Sequence, residues 1–371
     1  MTTTHGFRSP RFADRVATIL CVLVFLAAAG AGCPGDDGAT LDPQRAEAAA
    51  SVPSEAVTPP SDITGERDRW MEHCLAWVAA ALKTHPPSVA DRDARRAILT
   101  VLDDPIHVTD APQIDAVGEF FQVMARRAIA GIESETVSEG AVVWKIYNHF
   151  FVIKTSHHTY AFDFCRGAGK ASLTQTQVDR LVAAIDVLFI SHRHADHADL
   201  SVAQKVLAAG KPVVVPTEMW QDEDIAGALT RVTGGDATTV SGLDVTVFPG
   251  GQLSVPNNVY LVAADGVSVM HTGDQQQYGE AAKWLQRVGA DQDVDILLPN
   301  CWTPDLPEMV KMVVPRVVIT GHENELYHPV WERESFTKTY WLMHPVEHNY
   351  VVMSWGERFH YRRSRSRIVP S

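Results

Sequence analysis

The chain has 371 residues and a formal net charge of −13, with 32 Lys and Arg against 45 Asp and Glu. Such an acidic chain excludes nucleic acid as a substrate, because binding phosphate groups requires a basic surface. Five cysteines are too few for a scaffold of this length to be held together by disulfide bonds. The protein must therefore fold around an apolar core.

The amino terminus is typical of a secretory signal. Three arginines precede a run over 16–29 that is apolar apart from Thr18 and is shorter than a membrane-spanning helix requires. Small residues then lead to Cys33, and Ala31-Gly32-Cys33 resembles the end of a bacterial lipobox. We predict a signal segment over 1–33 and export to the periplasm or exterior, with lipid on Cys33 anchoring the protein to a bacterial membrane. Plain secretion and an uncleaved anchor are the alternatives.

Residues 34–64 consist mainly of Ala, Pro, Asp, Gly and Ser, with almost no large apolar side chain. Such a segment cannot bury enough apolar surface to offset the entropy of ordering. It is therefore predicted to be a disordered tether between the membrane and a folded domain.

A helical extension is predicted over 65–138. Apolar residues recur at helical spacing from Trp70 to Ala81, and a pair of prolines follows. A second helix is expected to begin with Asp110 as its N-cap and to carry an apolar stripe that stops near Gly131. Both helices are expected to pack on the core, and the alternative is a lid over a functional site.

The segment 139–371 alternates strand and helix patterns. The first strands are expected over 141–147, 150–154 and 159–164. A helix over 174–185 then leads to the apolar run 187–190, which is typical of a strand buried on both faces.

A cluster of potential metal ligands follows that strand. The run stops at Ser191, and the next six residues offer His192, His194, Asp196 and His197. Imidazole and carboxylate together suit a divalent transition metal. A rigid strand that ends in such a cluster can present a metal at the edge of a sheet, and a solvated polar loop is the alternative.

This His-x-His-x-Asp-His segment directly after a strand resembles the metallo-β-lactamase superfamily. The resemblance implies an α/β fold, a four-layered αβ/βα sandwich behind the helical extension, with one or two metal ions at the rim between its sheets. It also implies that Asp274, in a Thr-Gly-Asp turn after a strand, bridges both metals and that His322, in Gly-His-Glu, is the final ligand. Asp163 either supports the metal loop or simply caps a turn.

One histidine of the superfamily pattern is missing. The superfamily places it in a turn after a strand, but no histidine occurs between His197 and His271. The strand expected over 243–248 leads into 249–252, the expected turn, where Gln252 is the nearest donor. A neutral amide oxygen is a weaker zinc ligand than imidazole. The first metal position is therefore expected to bind weakly, to take a harder ion or to be absent.

Three further residues are secondary candidates. His271 and His328 are weaker candidates for metal ligands. Glu323 is expected either to orient an imidazole or a water molecule or to be solvated.

The resemblance implies a metal-dependent hydrolase in which a metal-bound hydroxide attacks an ester, lactone, phosphodiester or amide. His192 and His194 are assigned to the first metal position, and Asp196, His197 and His322 to the second. Asp274 lies between the two positions, and Asp196 and Asp274 are the catalytic candidates, with Asp196 helping to handle the proton. Zinc is the expected ion, with manganese or iron as alternatives.

The subgroup that the chain resembles is the lactonase and phospholipase-D-like branch, which implies a small-molecule or lipid-derived substrate. Two other classes stay open: a non-catalytic or single-metal binding protein of the same fold, and an iron-dependent oxidoreductase.

Overall fold

The computed structural model describes residues 63–252, 254–277 and 279–363. The predicted signal segment, the lipid site at Cys33 and all but the end of the predicted tether lie outside these residues. Within them, none of the helices has both the length and the apolar character that a membrane crossing demands. The division of the chain into four segments stays a prediction.

Three helices form the amino-terminal part of the described chain: α1 (Ile63–Thr84), α2 (Arg92–Ile106) and α3 (Asp115–Ser134). Helix α1 begins two residues inside the predicted tether. Asp110 was predicted to cap α3, but it precedes a short 3-10 turn and makes no side-chain capping bond. Ile114 is the residue before α3, and the helix runs on past Gly131.

Helix α2 was not predicted from the sequence. It begins among charged residues and contains Pro105 in its last turn, and both features obscure a helical pattern. Its buried face includes Ile98, Leu99 and Leu102, at the spacing that a packed helix needs.

The strands up to residue 240 are β1 (Ala141–Tyr147), β2 (Phe150–Lys154), β3 (Thr159–Phe162), β4 (Gly167–Ala168), β5 (Ala171–Ser172), β6 (Val187–Phe189), β7 (Val213–Pro216), β8 (Thr230–Val232) and β9 (Ala237–Val240). The later strands are β10 (Leu243–Gln252), β11 (Val255–Ala264), β12 (Val267–His271), β13 (Ile296–Leu298), β14 (Val317–Thr320), β15 (Tyr350–Val352) and β16 (Glu357–Tyr361). The helices after α3 are α4 (Gln175–Ala184), α5 (Leu200–Ala208), α6 (Trp284–Asp291), α7 (Leu306–Val313) and α8 (Phe336–Met343).

The described residues contain two sheets of seven strands, in the orders β16-β1-β2-β3-β6-β7-β8 and β15-β14-β13-β12-β11-β10-β9. One buried cluster draws alternate residues from both sheets, among them Phe151, Phe189, Tyr260 and Ile319. Because alternate residues of a strand point to opposite faces, the two sheets pack face to face. A second cluster joins their outer faces to the helices, so the expected α/β fold with an αβ/βα sandwich is confirmed.

The prediction of a turn over 249–252 is wrong. Strand β10 continues through these residues, and its pairing with β11 extends to Gln252 opposite Val255. Pro249 is tolerated there because the pairing of β10 with β9 ends at Thr246, which leaves the proline with no ladder partner on that side.

Candidate metal centre

The carboxyl ends of several strands deliver the candidate ligands to one place. Strands β12, β13 and β14 run parallel, so the residues that follow them lie at the same edge of the second sheet. Asp274 and His322 come from two of these strand ends, and the segment 192–197 follows β6 of the first sheet. All six predicted ligands therefore meet between the sheets.

The second position is our name for the site formed by Asp196, His197, Asp274 and His322. One ligand atom from each of these buried residues lies within 4.8 Å of the others. Nε2 of His197 is 3.3 Å from Asp196 Oδ2 and 3.2 Å from Asp274 Oδ1. Nε2 of His322 is 3.2 Å from Asp196 Oδ2 and 3.6 Å from Asp274 Oδ2.

The first position is our name for the site formed by His192, His194 and Asp274, whose ligand atoms also lie within 4.8 Å of one another. Nε2 of His192 is 3.8 Å from Asp274 Oδ2 and 3.1 Å from Nδ1 of His194. Burial lowers the pKa of His192 to about 3, so this ring is neutral at ordinary pH and can act as a ligand. Asp274 is common to both positions.

The second position fits a cation. His197 Nε2 is buried and has no hydrogen-bond partner among the described residues, although it faces two carboxylates. Burial alone would raise the pKa values of Asp196 and Asp274, but their neighbours, His197 first, hold both well below the usual value. Burial would likewise lower the pKa of His197, yet the carboxylates around it raise it well above the ordinary value. The site thus favours a positive charge among these groups, which a divalent ion satisfies.

Asp163 holds ligands of both positions by hydrogen bonds. This agrees with the sequence interpretation in which Asp163 supports the metal loop. Its Oδ2 accepts a hydrogen bond from His197 Nδ1 at 2.7 Å and another from Ser191 Oγ at 2.7 Å. Ser191 Oγ is in turn 3.0 Å from His192 Nδ1. Both imidazoles are therefore held through Nδ1, which turns Nε2 of each ring toward the metal positions.

Asp274 is held by amide groups that sequence reasoning did not assign to it. Gln252 Nε2 donates to its Oδ2 at 2.9 Å, and Asn300 Nδ2 donates to its Oδ1. The backbone N–H of Asp274 donates to Asn257 Oδ1 at 3.1 Å. Gly273 has a φ of 53°, and a Cβ there would lie 2.1 Å from that same Asn257 oxygen, so only glycine fits this turn.

His322 also has partners that the sequence did not reveal. Its backbone N–H donates to Asn148 O at 3.1 Å, and Trp302 Nε1 donates to its Nδ1 at 3.0 Å. The side chain is thereby oriented with Nε2 toward Asp196 and Asp274.

The secondary candidates have different surroundings. Both ring nitrogens of His271 are engaged, Nε2 with His149 O at 3.2 Å and Nδ1 with the N–H of Gly273 at 3.2 Å. Glu323 forms a fully buried ion pair with Lys145, so the interpretation that this carboxylate is solvated is wrong. His328 is partly exposed, and its Nε2 is 3.4 Å from Asp196 Oδ2.

Two buried residues beside the centre were missed. The His149 ring stacks on His271 with ring centroids 4.2 Å apart, and neither of its nitrogens has a hydrogen-bond partner in the described structure. Burial, together with the charge of Asp196, raises the pKa of Glu325 to about 7, although Tyr147 donates to Glu325 Oε1. His149 lies in the turn between β1 and β2, and Glu325 lies in the loop after β14, but neither belongs to a ligand motif, so the sequence did not single them out.

Comparison with known proteins identifies the family of this chain. Residues 144–322 match the family model described as the beta-lactamase superfamily domain. A metal-dependent hydrolase of Salinibacter ruber is 31% identical over 166 residues, which cover 40% of this chain and 70% of that protein. The chain belongs to the metallo-β-lactamase superfamily.

Similar solved structures include the metallo hydrolase Igni18 of Ignicoccus hospitalis, with a TM-score of 0.46 and 19% identity, covering 60% of this chain and 99% of that one. An isothiocyanate hydrolase from Delia radicum gut bacteria has a TM-score of 0.46 and 15% identity, again covering 60% and 99%.

As a metallo-β-lactamase fold, the chain departs from the superfamily pattern at the first position. Gln252 is buried at the end of β10 and reaches the centre by its bond to Asp274. Its Oε1 has no hydrogen-bond partner among the described residues. An amide oxygen is therefore available near the first position, where the superfamily pattern has a histidine.

Proposed function

We propose that this protein is a metal-dependent hydrolase that acts on an ester, lactone, phosphodiester or amide. The observation that carries the proposal is the second position, where two imidazoles and two carboxylates converge and Nε2 of His197 has no hydrogen bond among the described residues. The relative from Salinibacter ruber, named a metal-dependent hydrolase, supports the same reaction class.

Asp196, His197, Asp274 and His322 would hold a divalent metal ion, which would supply ionised water at neutral pH and Lewis-acid polarisation of a carbonyl or phosphoryl group. The residues of the chain hold and orient the reacting groups. Asp196 Oδ2 lies 3.2 Å from His322 Nε2 and 3.4 Å from His328 Nε2, where it can accept a proton. His328 is partly exposed, so it is placed to pass that proton to solvent.

The two positions are proposed to differ in occupancy. The second position offers two histidines and two carboxylates, more protein ligands than the three with which a catalytic site commonly holds zinc beside a water molecule. The first position offers two histidines, the shared Asp274 and the amide oxygen of Gln252, which suit a more weakly bound or harder ion. Zinc in the second position alone is therefore the expected resting state.

Export and a lipid on Cys33 belong to the same proposal and rest on the amino-terminal sequence. A membrane anchor would bring lipid-derived substrates within reach of the centre. Mass spectrometry of protein from its native membrane tests this: an acylated cysteine at position 33 supports the anchor, and an unprocessed or unacylated terminus contradicts it.

Metal content and turnover test the central proposal. Protein lacking residues 1–33 is assayed against ester, lactone, phosphodiester and amide substrates, alongside Asp274→Ala and His197→Ala. We expect at least one metal equivalent and hydrolysis of one substrate class in the wild type, and loss of both in the variants. Retained metal and activity in both variants would contradict the assignment.

A non-catalytic metal-binding protein is the second candidate, and the observation that favours it is the glutamine at position 252. It predicts that the wild type binds metal but turns over none of the four substrate classes with any divalent ion.

A further inference from the structure

Helix α2 of the amino-terminal extension holds the loop that carries His322. Asp103, near the end of this helix, is buried, and its Oδ1 accepts a hydrogen bond from Asn324 Nδ2 at 2.8 Å. His107, which follows the helix, contributes Nδ1 at 2.8 Å from Asn324 Oδ1. Both ends of the Asn324 amide are therefore occupied by residues from one helix end.

Asp103 is itself fixed in place. Its carboxylate also accepts hydrogen bonds from the backbone N–H groups of Phe336 and Thr337, each at 2.8 Å, and from Thr337 Oγ1 at 2.7 Å. These residues form the first turn of α8. The carboxylate thus joins α2, α8 and the His322 loop at a single point.

The loop between His322 and Asn324 has a conformation that its sequence does not favour. His322 has a φ of 77° and Asn324 a φ of 52°. Asparagine is one of the few residues other than glycine that visit the left-handed region readily, whereas histidine at positive φ requires support from its surroundings. The support comes from bonds on both sides: His322 N–H to Asn148 O, and the Asn324 amide to Asp103 and His107.

We propose that Asp103, His107 and Asn324 are positioning residues that hold His322 at the metal centre. This inference rests on the proposed function, since it assumes that His322 binds a metal ion. The helical extension then contributes to metal binding by holding Asn324, two residues beyond the ligand. This role does not require the extension to move as a lid.

A buried ion pair on α2 gives a matched control. Arg95 donates to both carboxylate oxygens of Glu357, at 3.0 Å and 2.6 Å, and to Val352 O at 2.9 Å. This pair fastens the same helix to the region of β15 and β16. None of these bonds involves the His322 loop, so weakening them loosens α2 without touching Asn324.

The test compares Asn324→Gly with Arg95→Lys in the full chain. Glycine permits the positive φ but removes the amide, and lysine keeps the charge but loses the two-point bond to Glu357. Zinc affinity is measured by competition with a chromophoric chelator, and thermal unfolding is followed with and without zinc. We expect Asn324→Gly to bind zinc about 10- to 100-fold more weakly, the usual cost of losing a partner that orients a metal ligand. Arg95→Lys should unfold at a lower temperature and keep its zinc affinity within about threefold.

His107→Ala is the second variant and covers a failure of Asn324→Gly to fold. It leaves the Asp103 bond intact, and we expect a weakening of about two- to tenfold, the equivalent of one hydrogen bond. Wild-type affinity in both Asn324→Gly and His107→Ala overturns the positioning role, as does an equal loss in Arg95→Lys. A wild type that binds no zinc overturns the proposed function, and the positioning role with it.

Discussion

The two metal positions share Asp274, but they differ in how ready their other ligands are. In the second position, Nε2 of His197 faces two carboxylates and has no hydrogen-bond partner among the described residues. In the first position, Nε2 of His192 lies 3.1 Å from Nδ1 of His194, so the two ligand atoms can bond to each other. A metal must break that bond before it binds.

The second position is more deeply buried than the first, and it also carries more negative charge. All four ligands of the second position are buried, whereas His194 in the first position is only partly buried. The second position has a carboxylate of its own, Asp196, and the first has only the shared Asp274. Charge and preorganisation therefore both favour the second position, so we expect the two adjacent sites to bind metal unequally.

The largest expected effect comes from removing one histidine from each position. His322→Ala should weaken binding of the first zinc equivalent, which we expect at the second position, by more than about 100-fold. This loss exceeds the usual one when only a supporting partner is removed. His194→Ala should leave that equivalent essentially unchanged. Calorimetric titration of metal-free protein with zinc measures both, and unfolding curves of the apo variants serve as the folding control. Loss of the tightest site in His194→Ala would mean that the order of the two positions is reversed.

A smaller effect is expected from restoring a histidine at the first position. Gln252→His should bring a second zinc equivalent into the measurable range, because imidazole is a far better zinc ligand than an amide oxygen. We expect the second equivalent to bind about 10- to 100-fold more tightly than in the wild type. Gln252→Leu is the matched control, since it removes the amide and adds no ligand. If the second zinc equivalent binds with the same affinity in the wild type and in both variants, residue 252 does not reach the first position.

The ligands were predictable because each belongs to a local pattern. The segment 192–197 follows an apolar strand, and Asp274 and His322 each stand in a short turn after another strand. Parallel strands end at the same edge of a sheet. Motifs recognised separately after each strand could therefore be predicted to lie close together. The resemblance supplied the fold, and the matching strands confirm it.

The residues that support the ligands were not predictable, since their partners are distant in the sequence. Asn300 contacts Asp274, and Trp302 contacts His322, through bonds that depend on how three strand ends meet. Glu323 was open between two interpretations and proved to pair with Lys145 in the core. A charge that is buried with a partner has the same local sequence as one that is solvated, so only the tertiary structure distinguishes them.

The smallest expected effect concerns Trp302, and its direction is opposite to that of the other variants. The indole N–H donates to His322 Nδ1, and a neutral imidazole that accepts there carries its proton on Nε2. A metal that binds Nε2 displaces this proton to Nδ1, which can then no longer accept from the indole. The Trp302 bond therefore stabilises the metal-free centre.

Trp302→Phe should accordingly tighten zinc binding at the second position by about two- to tenfold, the equivalent of one hydrogen bond. Trp284→Phe is the control, because that indole donates to Gln277 Oε1 at 3.2 Å and is bonded to none of the six ligands. Chelator competition on both variants measures the change. Weaker binding in Trp302→Phe would instead show that packing of the indole against His322 outweighs its hydrogen bond, and that the loaded centre retains the contact.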